Sequence, residues 1–195
     1  MIIKKAEFIT SVARAGDFIK SEKPIIAIAG KSNVGKSSFI NALANKNKLA
    51  KTSNTPGRTR LINYFDFGEF ILADLPGYGF ANVAKSEKDK WARLMEQFFA
   101  ETDIAHVFSL VDIRHNPTQD DLQMISYLYA YRLPFTIIAT KADKLGKSKI
   151  KPQAFSLASL VKVGANDIVP VSNENKYGFD KVLAKLDEVL SLENE

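Results

Sequence analysis

The chain has 195 residues, 46% of them apolar, and a formal net charge of +5. This length and apolar content suit one globular domain with a substantial core. The sequence contains no cysteine, which excludes disulfide bonds and thiolate metal sites.

Residues 1–22 carry scattered charges and lack the long apolar stretch of a signal peptide. No apolar run elsewhere approaches the ~20 residues that a membrane-spanning helix needs. We therefore expect a cytoplasmic protein without a membrane partner. Residues 1–22 are expected to be an N-terminal extension that packs on a single domain of residues 1–195.

Short β-type runs then alternate with amphipathic helical stretches, which predicts a layered α/β domain with a largely parallel sheet. A tight turn at residues 67–70 joins two of these runs and predicts that they are antiparallel, so the sheet is mixed. The predicted strands are Ile25–Ala29, Leu61–Phe67, Phe70–Asp74, His106–Asp112, Phe135–Thr140 and Ile168–Val171.

Three helices are indicated by apolar residues at helical spacing. Ser86, with Asp89 three residues later, is the predicted N-cap of the first helix, and Thr118, with Asp121, is that of the second. The third helix closes the chain. The apolar stripes are Trp91, Leu94, Met95, Phe98 and Phe99; Leu122, Ile125 and Tyr129; and Phe179, Val182, Leu183, Leu186, Val189 and Leu190.

The first motif lies between the strand at residues 25–29 and a helix-compatible stretch at residues 38–44. It reads Gly30-Lys31-Ser32-Asn33-Val34-Gly35-Lys36-Ser37, the phosphate-binding pattern GxxxxGK[ST]. In this pattern, backbone N–H groups and a helix N-terminus point at one anion. Lys36 would reach the β- and γ-phosphates, and the Ser37 hydroxyl would ligate Mg²⁺. The motif predicts that the chain binds a nucleoside triphosphate.

Two segments without periodicity, residues 46–60 and 77–85, lie next to this predicted site. We expect both to be switch loops that a γ-phosphate and its Mg²⁺ order, with an ordinary surface loop as the alternative for the first. Thr59 is the preferred second Mg²⁺ ligand because its hydroxyl comes just before a strand, and Thr52 and Thr55 are the alternatives. The residues grouped with Thr59 in nucleotide binding are Gly57, Arg58, Arg60 and Leu61.

The second motif, Asp74-Leu75-Pro76-Gly77, follows at the carboxyl end of a predicted strand, where open α/β sheets bind ligands. We assign Asp74 to the magnesium shell, through water, and the Gly77 N–H to the γ-phosphate. Tyr78 stands where Ras-type enzymes have the glutamine that orients the attacking water. Because a phenol cannot replace that amide, we predict slow intrinsic hydrolysis of the bound nucleoside triphosphate.

The third motif, Thr140-Lys141-Ala142-Asp143, ends the next-to-last strand. A fixed carboxylate accepts hydrogen bonds from guanine N1–H and from its exocyclic amine, and adenine has no matching pair of donors. Asp143 is therefore the predicted base selector, and it disfavours the alternative of a phosphate-loop ATPase or small-molecule kinase. Lys141 would lay its aliphatic stem over the base. A hydroxyl or amide within Val171, Ser172 and Asn173 would contact guanine O6.

Taken together, these motifs resemble those of translation-factor-class GTPases, and more closely those of the bacterial EngB family, also called YsxC or YihA. The resemblance spans nearly the whole chain. It rests on residues 30–41, Pro56–Thr59, Asp74–Ala81, Val111–His115 and Thr140–Asp143. It implies a phosphate-loop GTPase of Ras-like fold: a three-layer sandwich in which helices cover both faces of a mixed, mostly parallel sheet of six strands.

The resemblance also implies an activity, a magnesium-dependent hydrolysis of GTP to GDP by a monomer. Its proposed catalytic residues are Asn33, Lys36, Thr59 and Gly77. Related GTPases with asparagine at the position of Asn33 use it to hold a potassium ion, which would supply positive charge and stimulate hydrolysis. A loop residue without such a role is the alternative for Asn33.

Finally, the resemblance implies a role in assembly of the large (50S) ribosomal subunit and in normal cell division and septation, with no DNA partner. The partner would be the large-subunit precursor, with its rRNA and ribosomal proteins. Basic residues beside the site suit RNA phosphates, although each could equally belong to a solvated surface. They are Lys46, Lys48, Lys51, Arg58 and Arg60, together with Lys144, Lys147, Lys149 and Lys151 in the loop expected after Asp143. The alternative is a GTP-dependent regulatory switch that binds another RNA or protein.

Overall fold

The computed structural model describes residues 1–50, 61–79 and 84–193. The strands are β1 (Glu7–Val12), β2 (Ile25–Gly30), β3 (Ile62–Asp66), β4 (Ile71–Asp74), β5 (Ile104–Asp112), β6 (Phe135–Thr140) and β7 (Ile168–Pro170). The helices are α1 (Lys36–Leu43), α2 (Lys85–Glu101), α3 (Gln119–Ala130), α4 (Lys147–Val161) and α5 (Phe179–Leu192). Strands and helices thus alternate through most of the chain, as predicted.

The strands form one mixed sheet in the order β1-β3-β4-β2-β5-β6-β7. The five strands from β4 to β7 in this order are parallel, whereas β3 is antiparallel to both of its neighbours. In the predicted tight turn between β3 and β4, Phe67 N donates a hydrogen bond to Phe70 O at 3.0 Å. The mostly parallel, mixed sheet is therefore confirmed.

The predicted count of six strands is wrong, because β1 makes a seventh in the described residues. This strand lies at the edge of the sheet and pairs only with β3. Phe8 and Ile9 are 54% and 43% exposed, and of its six residues only Val12 is buried. An edge strand with so little burial does not need alternating apolar and polar residues, so its sequence lacks the signal that marks the other strands.

Helices cover both faces of the sheet, as predicted. On one face, α1 and α5 pack on the core that includes Ile26, Ile28, Leu72 and Phe108. On the other face, α2 and α3 pack on neighbouring residues of β2, β3 and β4, and α4 packs on β5, β6 and β7. All six residues of the central strand β2 are buried, which is typical of a parallel strand covered on both sides.

The two predicted helix caps have different outcomes. Thr118 is confirmed as the N-cap of α3, because it forms a reciprocal capping box with Asp121. Ser86 is wrong as the cap of α2: the helix begins at Lys85, and Ala84 is its N-cap without a side-chain hydrogen bond. The carbonyl of Ala84 already accepts from the N–H groups of two residues of the first turn, which places Ser86 inside the helix.

Tyr129, on the predicted apolar stripe of α3, is only partly covered. It is 49% exposed, its hydroxyl donates to Lys162 O at 2.9 Å, and its ring packs edge-to-face on Phe135. Met124 and Leu128 are buried on that helix.

Among the described residues, no helix combines the length and apolar character that a bilayer crossing requires.

Candidate nucleotide-binding site

The three predicted motifs meet at one edge of the sheet. β2 ends at Gly30, β4 at Asp74 and β6 at Thr140. Since these strands are parallel and β5 alone separates β2 from β6, their carboxyl ends lie side by side. This is the edge at which open α/β sheets bind ligands. The topology therefore assembles one site from segments that are far apart in the sequence.

The phosphate loop, residues 30–37, leads into the N-terminus of α1. Asn33 and Gly35 both adopt left-handed backbone conformations, with φ of 64° and 104°, and Gly35 is the N-cap residue of α1. Among the described residues, no side chain caps this helix, and its first turn contains no acidic residue. An anion at this end would meet N–H groups that no carboxylate occupies, together with the positive end of the helix dipole.

Three successive carbonyl groups of the phosphate loop accept hydrogen bonds from the predicted base-recognition segments. The pairs are Lys141 Nζ to Asn33 O at 3.0 Å, Thr140 Oγ1 to Val34 O at 2.8 Å, and Asn173 Nδ2 to Gly35 O at 3.2 Å. These contacts fix the peptide planes of the loop before any ligand binds. A preorganised set of amides is the arrangement that binds an anion at least cost in reorganisation.

Lys36 and Asp74, the residues predicted to contact phosphate and the magnesium shell, lie together. Lys36 Nζ donates a hydrogen bond to Asp74 Oδ1 in a largely buried ion pair. Ser37 follows in the first turn of α1. The Ser37 hydroxyl and the Asp74 carboxylate offer the hard oxygen ligands that Mg²⁺ prefers. In the described ranges no group of three or more acidic, histidine or cysteine side chains could hold a metal.

Gly77 lies directly against the phosphate loop. A Cβ added at Gly77 would lie 2.9 Å from Ser32 Oγ and 3.4 Å from Ser32 N, so a side chain here would have to displace the Ser32 hydroxyl. Ser32 N also donates to Tyr78 O at 2.9 Å. The preceding residues Leu75 and Pro76 are buried. This placement suits the predicted contact between the Gly77 N–H and a γ-phosphate, which stays a prediction.

Asp143 presents a carboxylate with unused acceptor capacity. It lies in a short helical turn after β6, which Ala142 N ties to the end of β7 through a 3.0 Å hydrogen bond to Val171 O. Asp143 Oδ2 is buried and accepts no hydrogen bond within the described part of the chain, although Lys144 Nζ lies 3.0 Å away. Burial raises the pKa of this carboxyl, but Ser172 and Lys144 stabilise the carboxylate and hold the pKa below its ordinary value.

The loop after β7 closes the predicted base site. Ser172 is fully buried, and its amide N–H already donates to Tyr177 O at 3.0 Å. The Ser172 hydroxyl stabilises the Asp143 carboxylate, so the contact between guanine O6 and residues 171–173 stays a prediction. Gly178 has a φ of 79°, and a Cβ there would clash with Pro170 O, so glycine allows the loop to fold back on β7.

Comparisons with known proteins agree with this geometry. The family described as 50S ribosome-binding GTPase matches residues 25–141. Over 193 residues, the chain is 44% identical to the probable GTP-binding protein EngB of Mycoplasma mycoides subsp. mycoides SC, covering 97% of this chain and 98% of that protein. The chain belongs to the EngB family of GTP-binding proteins. Its fold is that of the phosphate-loop GTPases, and the guanine nucleotides GTP and GDP are the ligands of that family.

A second EngB protein supports the same assignment, and two solved structures share the fold. The chain is 42% identical to the probable GTP-binding protein EngB of Geotalea daltonii, covering 99% of this chain and 94% of that protein. A crystal structure of a probable GTP-binding protein EngB has a TM-score of 0.71 at 20% identity, and the match covers 86% of this chain and 98% of that one. A structure of Era with MgGDPNP and 16S ribosomal RNA nucleotides has a TM-score of 0.65 at 21% identity, and the match covers 84% of this chain and 55% of the Era chain.

Asp112 is a site residue of this EngB-family chain whose role the sequence did not indicate. Its carboxylate accepts from Arg114 Nε at 2.9 Å and from the Arg114 guanidinium end at 2.7 Å, and Lys141 Nζ lies 2.9 Å away. Burial raises the pKa of Asp112, but Arg114 and Lys141 outweigh it and hold the pKa far below its ordinary value. Its position at the carboxyl end of β5, between strands that carry predicted motifs, was the available signal.

Several predicted nucleotide and RNA contacts of this EngB-family chain lie outside the described residues. They are Lys51, Thr52, Thr55, Gly57, Arg58, Thr59 and Arg60. Leu61 is described and lies half-buried directly before β3. The second Mg²⁺ ligand assigned to Thr59 therefore stays a prediction.

Proposed function

We propose that the chain is a magnesium-dependent GTPase of slow intrinsic turnover that assists assembly of the large (50S) ribosomal subunit. It would act as a cytoplasmic, single-domain monomer and be needed for normal cell division and septation. One observation carries this proposal: a single sheet edge brings together the phosphate loop, the Lys36–Asp74 pair and the ionised Asp143 carboxylate. Such an edge can bind the base and the phosphates of one nucleotide at once.

In this mechanism, GTP binding replaces the Lys36–Asp74 ion pair. Lys36 Nζ turns to the β- and γ-phosphates, and the loop amides hold the remaining phosphate oxygens. The Ser37 hydroxyl and the Asp74 carboxylate, through water, would hold Mg²⁺, which when bound neutralises charge between the β- and γ-phosphates. Phosphoryl transfer depends mainly on positioning and charge neutralisation, so these residues contribute by orienting the nucleotide.

Slow hydrolysis follows from the side chain of Tyr78. Its hydroxyl donates to Asp121 Oδ1 at 3.0 Å, and its ring packs edge-to-face on Trp91 with centroids 5.9 Å apart. The side chain therefore points into the protein and offers no group that would orient a water at the γ-phosphate. This geometry also favours the alternative of a GTP-dependent regulatory switch that binds another RNA or protein, for which slow hydrolysis merely resets the state.

Asn33 is the residue through which potassium would act. Its side chain is exposed in the phosphate loop, while Lys141 Nζ holds its carbonyl at 3.0 Å. A potassium ion held partly by the Asn33 amide oxygen would supply positive charge at the position where other GTPases use an arginine. We propose that potassium stimulates hydrolysis in this way and that ribosomal particles stimulate it further.

The basic residues differ in their availability for ribosomal RNA. Lys46 Nζ donates to a backbone carbonyl at 2.7 Å, and Lys144 is paired with two acidic residues. Lys147, Lys149 and Lys151 lie in the first turns of α4, so the predicted loop is wrong at these positions. They are exposed, and none of their ammonium groups forms an ion pair within the described ranges. We therefore propose that the start of α4 provides much of the phosphate contact with rRNA.

Sedimentation with ribosomal subunits tests the proposal. We expect the chain to migrate with large-subunit particles in GTP or a non-hydrolysable analogue, and much less in GDP. The double variant Lys147→Ala/Lys149→Ala should reduce this migration at physiological salt, because two phosphate contacts are lost. Lys4→Ala/Lys20→Ala removes the same charge from exposed lysines of the N-terminal segment and is the matched control. Equal migration in all nucleotides, or migration with another particle, would contradict the large-subunit role.

A further inference from the structure

The side chain of Tyr78 is buried and is anchored through its hydroxyl group. Only 5% of the residue is exposed, and its hydroxyl donates to Asp121 Oδ1 at 3.0 Å. Burial raises the pKa of this phenol, and the Asp121 carboxylate raises it further, so the hydroxyl keeps the proton that it donates. A hydrogen bond to a charged acceptor in a buried place is stronger than one between neutral groups.

Asp121 is itself held rigidly by the start of α3. Its second oxygen, Oδ2, accepts from Thr118 N at 2.8 Å and from Thr118 Oγ1 at 2.7 Å. The bond from Thr118 N is one half of the capping box of α3, and Asp121 N completes the box by donating to Thr118 Oγ1 at 3.4 Å. The direction of Oδ1 is therefore set by a helix terminus, and the phenol that binds it is tied to a fixed element of the fold.

The backbone of the same tyrosine is tied to the phosphate loop. Tyr78 O accepts from Ser32 N at 2.9 Å, and Gly77, one residue earlier, lies so close to Ser32 that a Cβ would press on the Ser32 hydroxyl. Tyr78 thus connects two elements: its backbone contacts the phosphate loop, and its side chain contacts α3. The peptide that carries the Gly77 N–H lies directly before this double anchor.

We propose that Tyr78 and Asp121 are positioning residues, whose hydrogen bond holds Gly77 at the phosphate loop so that its N–H meets the γ-phosphate. This inference rests on the proposed contact between Gly77 and the γ-phosphate. Neither side chain touches the nucleotide. Their effect is to hold a donor in place before binding, which reduces the ordering cost of each γ-phosphate contact. GDP lacks the γ-phosphate and gains nothing from this contact.

The ratio of two affinities tests the inference in the full chain with Mg²⁺ present. Tyr78→Phe keeps the ring and removes only the hydroxyl. We expect it to weaken binding of a non-hydrolysable GTP analogue by about tenfold and binding of GDP by less than about twofold. Asp121→Ala should lower the same ratio. The double variant should be no worse than Asp121→Ala alone, because both changes remove one interaction.

Two control variants separate positioning from general stability. Tyr127→Phe removes a phenol hydroxyl from α3 that lies 3.4 Å from Glu96 and far in sequence from Gly77. Ile125→Val removes one buried methyl group from the same helix and leaves Thr118, Asp121 and Tyr78 intact. Thermal unfolding should show a loss of stability for Ile125→Val, whereas the analogue-to-GDP affinity ratio should stay at the wild-type value for both controls.

The outcomes distinguish this inference from the proposal beneath it. If Gly77→Ala weakens analogue binding while Tyr78→Phe leaves the ratio unchanged, the positioning role is wrong and the γ-phosphate contact stands. A Tyr78→Phe variant that weakens both nucleotides equally would also overturn the positioning role, since that is the result of an ordinary core hydrogen bond. If Gly77→Ala changes neither affinity, the γ-phosphate contact itself is wrong, and the inference fails with it.

Discussion

Replacing Asp143 by asparagine should transfer the base preference of this site from guanine to xanthine. Guanine presents two donors to Asp143, N1–H and the exocyclic amine, and the carboxylate accepts both. Xanthine keeps N1–H but has a carbonyl oxygen in place of the amine. The asparagine oxygen can accept from N1–H while its NH₂ group donates to that carbonyl, so the variant matches xanthine. With guanine, the asparagine NH₂ would face the exocyclic amine, and two donors cannot bond to each other.

The magnitude follows from the surroundings of the carboxylate. The side chain of Asp143 is only 13% exposed, and its buried Oδ2 accepts no hydrogen bond from the described residues. One charge-assisted hydrogen bond to guanine would be lost, the other weakened, and two donors left facing each other. At about 1.5–3 kcal/mol for each hydrogen bond to a charged group, we expect a loss of about 4 kcal/mol, or roughly 1,000-fold in GDP affinity.

Isothermal titration of the wild-type chain and the variant with GDP and with xanthosine diphosphate measures both effects. The variant should bind xanthosine diphosphate more tightly than GDP, and the wild type should show the opposite order. Lys144→Ala, which removes the neighbouring ammonium but keeps the carboxylate, is the matched control and should retain guanine preference. An Asp143→Asn variant that still prefers GDP would refute the assignment of Asp143 as the base selector.

Three further predictions concern stability and ions. Gly178→Ala should lower the free energy of unfolding by about 3 kcal/mol in denaturant titrations, because its positive φ and the clash with Pro170 O both oppose a side chain. Gly16→Ala is the control, since no atom lies within 4 Å of a Cβ at that position. Burial lowers the pKa of His106 to about 4. Because the unfolded chain binds this proton more readily, the free energy of unfolding should fall by about 3 kcal/mol as the pH drops from 6.5 to 4. His106→Gln should remove this contribution to the pH dependence. Replacing K⁺ by Na⁺ should slow GTP hydrolysis by roughly tenfold, and Asn33→Ala should make the rates in the two salts equal. Chelating Mg²⁺ should stop GTP hydrolysis.

The phosphate loop and the base motif could be predicted from the sequence because their chemistry is local. Glycine and lysine at fixed spacing after an apolar run determine both the backbone conformation and the charge of the loop. The capping box of α3 belongs to the same class, since its partners Thr118 and Asp121 are three residues apart. Ser86 shows the limit of such patterns: the same spacing occurs one residue inside α2, where the backbone of Ala84 already receives the first N–H groups.

The remaining features depend on contacts between residues that are distant in the sequence. Tyr78 meets Asp121 from 43 residues away, and the partner of Lys36, Asp74, is 38 residues away. No periodicity records such pairs, because they arise only when parallel strands bring their carboxyl ends together. The edge strand β1 was missed for a related reason: its pairing with β3 supplies backbone hydrogen bonds whatever its side chains are.

Base recognition and phosphate binding share one structural support in this fold. Side chains of Lys141, Thr140 and Asn173 bind the carbonyls at positions 33, 34 and 35 of the phosphate loop, and Lys141 is held in turn by Asp112. The segments that would contact the base therefore also orient the amides that would contact the phosphates. A base that fits poorly would disturb these side chains, and through them the loop. We therefore expect selection of guanine by Asp143 to be coupled to phosphate binding, because both sets of residues follow strands at the same edge of the sheet.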